Sequence, residues 1–305
     1  MTSEGEIRES SEFYGTADET RSLYHLSSTV AWKKSEKFLL GGSFDIVIAT
    51  QRLTRILSGA YDGGAGGTFN ASLNRTISGG GLQIKGGLQW APIPELRIGW
   101  MAAMPSYLVY LSEESTASQQ VAPPSGVPQF QATQVDDLSG TWTGAEHGLT
   151  RLGAAYLGRW GWIELDLIVG FPLQSSRFDI DWHTTANVRV GGVVRVTERL
   201  KLGAGFFTDF SPDNTPSDFG ETQVDFYGFT LGIDFANREA PPSRGDEGFY
   251  LAFAVALRYS HGKGQLAGLS FPTTFPDPPS LPGTSNLVDV RINEYGINLA
   301  VKASF

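Results

Sequence analysis

Apolar and polar positions alternate with a period of two along nearly the whole chain, the pattern of strands with one apolar face. Near the C-terminus, Tyr295, Ile297, Leu299, Val301, Ala303 and Phe305 fall on one side of an extended segment. Glu294, Gly296, Asn298, Ala300, Lys302 and Ser304 fall on the other. Phe249, Leu251, Phe253, Val255, Leu257 and Tyr259 alternate with Tyr250, three alanines, Arg258 and Ser260; Tyr227, Phe229, Leu231, Ile233 and Phe235 alternate with Phe226, Gly228, Thr230, Gly232 and Asp234. Leu200, Leu202, Ala204 and Phe206 oppose Lys201, two glycines and Phe207, and Val188, Val190, Val194 and Val196 oppose Arg189 and Arg195. Ile163, Leu165 and Leu167 oppose Glu164 and Asp166; Leu152, Ala154 and Tyr156 oppose Arg151; Leu96, Ile98 and Trp100 oppose Arg97 and Met101. Upstream, Leu82, Ile84 and Leu88 oppose Gln83, Lys85 and Gln89, Phe44, Ile46 and Ile48 oppose Asp45, and Tyr24, Leu26 and Val30 oppose His25. The pattern predicts eleven strands, with every charge on the less apolar face.

Soluble sandwiches alternate too. Three details favour a membrane barrel. Aromatics cap the apolar face at strand ends (Tyr24 and Trp32, Phe249 and Tyr259, Tyr295 and Phe305), where interfacial girdles belong. The runs approach ten residues, enough for a tilted membrane strand. The opposite face mixes glycine, alanine and scattered charge, which suits a lumen. Connections alternate short (34–37, 91–95, 159–161, 197–199) and long (59–80, 113–148, 172–186, 211–222, 262–289). Such barrels have short periplasmic turns and longer outer loops. The expectation is an all-β, transmembrane, antiparallel up-and-down β-barrel, residues 23–305, preceded by an extracellular-side loop segment, residues 1–22. Its partners are outer-membrane lipid and, through the C-terminal strand ending at Phe305, the barrel-assembly machinery. An odd number of readable strands further predicts that strands and a hatch precede this sequence, leaving a seam between the strands at Tyr24 and Tyr295.

Composition removes several function classes. The chain has no cysteine, so disulfides, thiol nucleophiles and thiolate metal sites are excluded together. A formal charge of −9 argues against a nucleic-acid partner. No apolar run reaches the roughly 20 residues of a spanning helix; the best, residues 98–111, is broken by Pro105. The acidic N-terminus has no signal-peptide core.

Catalytic and metal motifs are not found. His25, His147, His183 and His261 make no ligand-spaced pair, and there is no Gly-x-Ser-x-Gly elbow. The glycine runs at 63–67 and 79–81 lack a phosphate-loop ending and read as loop glycine. Asp213, Asp218 and Asp277 read as solvated loop charge. Glu164 and Asp166 share a lumen face and fit a charge network with lumen arginines better than acid–base chemistry. The sequence therefore predicts no enzyme, no cofactor and no metal. The lumen-facing candidates for ligand contact are Lys85, Arg97, Met101, Arg189, Arg195, Phe207, Phe226, Tyr250 and Arg258.

Two stretches carry a resemblance. Residues 82–111, LQIKGGLQWAPIPELRIGWMAAMPSYLVYL, and residues 187–213, NVRVGGVVRVTERLKLGAGFFTDFSPD, are similar to hairpins of the FadL/TodX-type outer-membrane transporters for long-chain fatty acids and aromatic hydrocarbons; residues 24–49 fit the same family's upstream strands. The resemblance implies a 14-stranded barrel with an N-terminal hatch in the bacterial outer membrane, taking up a hydrophobic small-molecule ligand by diffusion. The family's Asn-Pro-Ala-Gly hatch segment has no match here, so no hatch residue carries over. A general porin, an uncharacterised structural or adhesive barrel and, last, a lipid hydrolase are the competing readings.

Overall fold

A computed structural model describes residues 12–61, 66–139, 143–176, 178, 180–216, 219–237, 250–270 and 284–304. The strands are β1 (Glu12–Ser35), β2 (Phe38–Ala60), β3 (Thr68–Ile93), β4 (Leu96–Ala103), β5 (Ser106–Ala122), β6 (Gln129–Ser139), β7 (Thr143–Glu146) and β8 (Leu149–Gly158). They continue with β9 (Gly161–Gly170), β10 (Leu173–Ser175), β11 (Ile180–Trp182), β12 (Thr185–Arg195), β13 (Leu200–Asp209), β14 (Thr222–Ala236), β15 (Tyr250–Ser270) and β16 (Thr284–Ser304).

Eleven of them run around one antiparallel sheet in the order β1-β2-β3-β4-β8-β9-β12-β13-β14-β15-β16. These are the eleven strands that alternation predicts. The sheet counts fourteen strands only because β5, β6 and β7 branch from its upper part; this is a different fourteen from the circumferential count the resemblance implies. Among the described residues, β1 pairs only with β2 and β16 only with β15.

The apolar face points out. Tyr24, Leu26, Val30, Phe44, Ile46, Ile84, Leu165, Phe229, Leu231, Ile233, Leu257 and Leu299 are all large, hydrophobic and exposed. A soluble protein rarely exposes so continuous an apolar surface, whereas a barrel in lipid requires one. The inward positions of the same strands carry Asp45, Gln83 and Ser260, all buried. From β2 round to β15 each circumferential strand is laddered to a neighbour on both sides, the pairing that hydrocarbon demands of a spanning sheet.

Several segments read as loops are strands. Residues 12–22 continue β1 and pair along β2 as far as Ala60. Most of the expected loop at residues 59–80 is ladder: β2 and β3 stay paired out to Ala60 opposite Thr68, and Gly67 beside that last pair takes φ 109°. Most of 113–148 forms β5, β6 and β7, and β15 and β16 run deep into 262–289. Glycines 79 to 81 are ladder glycines, not loop: β5 crosses β3 there with a bulge, and a Cβ on Gly79 or Gly81 would collide with the backbone of residues 107–110. In 12–22 and 113–120 polar side chains occupy both faces, so no apolar alternation marks the ladder; in 68–78 Phe69 and Ile77 do alternate with polar residues, but on the inward side, out of phase with Leu82 and Ile84 across the glycines. Phe249, Asp218, Asp277 and Phe305 lie outside the described residues, as does the side chain of Tyr250.

β4 and β5 are one bent strand along β3, interrupted at Met104–Pro105 because proline has no N–H for the ladder. β7 and β8 break opposite it at His147–Gly148, and a Cβ on Gly148 would sit 2.8 Å from Pro105 Cδ. Beyond this paired break β7 leaves the line of β8 to pair with β5, and its Ala145 is buried.

Candidate functional site, a capped lumen

The largest buried apolar cluster of the described residues lies inside the sheet's concave face, at its long-loop end. Ala49 of β2, Ile77 of β3, and Leu108 and Leu111 of β5 supply the wall; Ala145 of β7, Leu173 of β10, Ile180 of β11 and Phe178 from the turn before β11 pack onto them. Leu23 and Trp182 flank the cluster. The β10–β11 hairpin pairs Leu173 with Trp182 and Ser175 with Ile180. So short a hairpin is not stable alone; it holds its shape by burying this face against the wall.

Polar contacts pin the cap. The Arg21 guanidinium of β1 lies over the Phe178 ring at 5.5 Å and the Trp182 ring at 5.0 Å, and its Nη2 donates to the carbonyl of Ala145. His25 stands between Asp45 (Nδ1 to Oδ2, 3.7 Å) and Glu146 of β7 (Nε2 to Oε2, 3.5 Å). Gln83 Nε2 donates to the Met104 carbonyl at 3.0 Å and to Glu146 at 3.3 Å. From the other side, Trp182 Nε1 donates to Asp213 at 2.6 Å, Asn214 Nδ2 to Asp181 at 2.7 Å and His183 N–H to the Pro212 carbonyl at 2.8 Å. His147, in the link between β7 and β8, is edge-on to Trp182 with ring centroids 5.2 Å apart. Burial pushes its imidazole below the usual histidine range, Glu146 opposing and nearby Arg21 assisting that shift.

Beneath the cap the inner wall is charged and rich in glycine. A cavity of about 790 Å³ runs along β1 to β9 and brings together Lys85, Arg97 and Met101, with Arg151 and Asp166. Lys85 Nζ pairs with the fully buried Asp45 at 2.7 Å, and Arg151 pairs with Asp166. Asp166 thus takes the charge-network role expected for it. A second cavity of about 590 Å³, farther round the wall, gathers Arg189, Phe207 and Arg258. Arg258 Cζ lies 4.4 Å over the Phe207 ring.

The predicted residues therefore divide. Six line two cavities. Arg195 sits at the short-turn end beside Lys201, its N–H bonded to the Trp160 carbonyl, and lines neither cavity. Phe226 lies one inward position above Gly228, its ring against Gly262. For Tyr250 only the backbone pairing with Ser304 is described. Sequence reasoning missed the cap: Arg21, Phe178, Ile180 and Trp182. A signal was present, since Phe178, Ile180 and Trp182 alternate with polar residues inside a stretch read as loop. Among the described residues no three His, Asp or Glu side chains gather as a metal site.

No family model matches the sequence, and no curated protein does. The crystal structure of a Pseudomonas aeruginosa FadL homologue is similar, with a TM-score of 0.59 and 12% identity over 93% of this chain and 68% of that one. At that identity the likeness speaks for the architecture, and it agrees with the strand order, the outward apolar face and the inward charge. The chain has the FadL-type outer-membrane β-barrel fold.

Proposed function

We propose that this protein is an outer-membrane channel for passive uptake of hydrophobic small molecules, of the class of long-chain fatty acids or aromatic hydrocarbons. The observation that carries the reading is the cap. An apolar core of Ile77, Leu108, Leu111, Leu173, Phe178 and Ile180 stands across the long-loop end of the lumen, where a general porin needs an open aqueous path. Below it lies a pocket of about 790 Å³ whose wall combines Leu39, Met101, alanines and glycines with a few charges. Ligand pockets for apolar molecules are concave, mostly apolar and fitted with a few polar groups. The fold likeness to a FadL homologue supports the same reading. With short turns facing the periplasm, the cap stands on the outer side.

The test is uptake by cells producing the full-length protein. Radiolabelled oleate or toluene is expected to enter faster than in cells without it, with no gain in maltose entry. Planar-bilayer recordings are expected to show no large steady conductance. A large, steady ion current through the intact protein would overturn the proposal in favour of a porin.

A further inference from the structure

The second lumen cavity is more specific than passive passage of apolar molecules requires. Inter-strand partners set its geometry. One rung of inward residues reads Asp166, Arg189, Phe207, Gly228 and Ser260 across β9, β12, β13, β14 and β15; the next reads Glu164, Gly191, Gly205, Thr230 and Arg258. The Phe207 ring lies flat across Gly228, where a Cβ would collide with three of its ring carbons. Aromatic cover of a neighbouring strand's glycine is a recognised stabilising device in sheets. Its consequence here is that the ring reaches β15, and Arg258 stacks on it at 4.4 Å.

Stacking fixes the guanidinium plane and leaves its N–H edge free to form a bidentate pair with a carboxylate. Arg189 lines the same cavity, and so does Thr230, whose Oγ1 would lie 2.7 Å from a Cβ on Gly205. Among the described residues neither Arg189 nor Arg258 forms an ion pair, whereas Asp166 is taken by Arg151. Glu164 and Asp209 also line the cavity, each one rung from Arg189. Between Thr230 and Glu164 the floor is Gly191 and Gly205, leaving the middle of the rung open over bare backbone.

We infer that Arg258, Arg189, Thr230 and the edge of Phe207 form a binding site for a single-ring aromatic carboxylate. The carboxylate pairs with the stacked guanidinium, and the ring lies over the glycine floor. The cavity of about 590 Å³ accommodates one such molecule. This inference rests on the proposed channel function but fails separately from it, because oleate and toluene uptake do not report on it.

The experiment is equilibrium dialysis of the full-length protein in nanodiscs at pH 7, with labelled 4-ethylbenzoate, its neutral isostere 4-ethylbenzamide, cyclohexanecarboxylate and sulfate. The benzoate is expected to bind at least tenfold more tightly than each of the other three. Arg258→Gln is expected to lower the benzoate-to-benzamide affinity ratio at least tenfold, and Arg258→Lys, which keeps charge but loses the planar fork, to lie between. Gly191→Leu, at a position where a Cβ meets only ordinary contacts, fills the floor and is expected to abolish benzoate binding in a barrel that still shows heat-modifiable gel mobility. Equal binding of benzoate and benzamide, or an unchanged ratio in Arg258→Gln, would overturn the inference. Sulfate or cyclohexanecarboxylate binding as tightly as benzoate would overturn its aromatic part and leave a general anion site.

Discussion

The membrane band and the cap are built from the same chain on opposite plans. In the band, Leu231, Phe229 and Leu257 face outward and Asp45, Arg151 and Asp166 face inward. In the cap the apolar side chains, Phe178, Leu173 and Ile180, point into the interior and pack on one another as in a soluble core. Solvent explains the inversion. Lipid accepts apolar side chains and rejects unpaired polar groups, so the band turns its apolar face out. Above the lipid both sheet faces meet water, and the hydrophobic effect regains its usual direction. The two regions should therefore answer differently to the same kind of substitution.

The largest separation is expected from Phe178→Ala. Truncating a buried phenylalanine typically costs about 3–5 kcal/mol, and Phe178 is 1% exposed. The loss should fall chiefly on the cap, because the cluster that holds Phe178 meets β2, β3 and β5 only at their long-loop end. Hydrogen exchange across 173–182 should speed up sharply and the bilayer conductance should rise, while the barrel's heat-modifiable mobility stays put. Loss of the folded barrel itself would mean that cap and band are one cooperative unit.

Leu231→Arg makes the converse cut. The side chain is 62% exposed on the outer face of β14, and an arginine near the bilayer midplane costs about 2–4 kcal/mol in such barrels. Folded yield in lipid should fall strongly, whereas Ala254→Ser on the inner face of the adjacent strand should change little. Equal yields from the two variants would contradict the face assignment.

The same contrast marks what the sequence disclosed. The band was legible because lipid on one side enforces strict alternation: all eleven circumferential strands, and the inward positions of Lys85, Arg97, Arg189, Phe207 and Arg258, follow from parity alone. Above the band that constraint lapses. Residues 112–120, SEESTASQQ, form regular ladder with polar side chains on both faces, and nothing in their polarity distinguishes ladder from loop. The cap was hidden for a different reason. Its core joins β2, β3, β5 and β7 to the hairpin at 173–182, and no local pattern announces which distant wall an isolated Phe178 will meet. Grouping the charges also needed coordinates: parity places Arg195 inward but not at the short-turn end, away from both cavities.

A smaller effect is expected from Arg21→Met, which keeps the aliphatic stem against Phe178 and Trp182 but removes the cation and the donor to Ala145. A cation–π contact and one hydrogen bond are together worth about 1–2 kcal/mol. Exchange at 143–146 and 173–182 should accelerate by roughly tenfold, in line with that free energy, with the band unchanged. No acceleration would assign the cap's stability to its apolar core alone.

The smallest and most diagnostic effect is a pH dependence confined to the cap. His147 is buried beside Trp182, its Nδ1 lacks a hydrogen-bond partner, and burial lowers its affinity for a proton. The closed cap therefore holds it neutral, while an opened cap exposes an imidazole that titrates near 6.5. Above about that pH both states are neutral and the residue makes no difference. As pH falls below it, the opened state takes up a proton that the closed state refuses, so closure weakens until the depressed value is passed. Glu146 works against the shift and Arg21 with it, and burial, the largest cause, sets its direction. Hydrogen exchange across 143–148 and 173–182, corrected for intrinsic rates, should show cap opening increase between pH 7 and pH 5, with the ladders of β12 to β14 flat over the same range. His147→Phe keeps an aromatic edge for Trp182 and removes the titration, so its profile should flatten and its cap should be the more stable of the two at pH 5. An undiminished slope in His147→Phe would move the acid sensitivity away from His147.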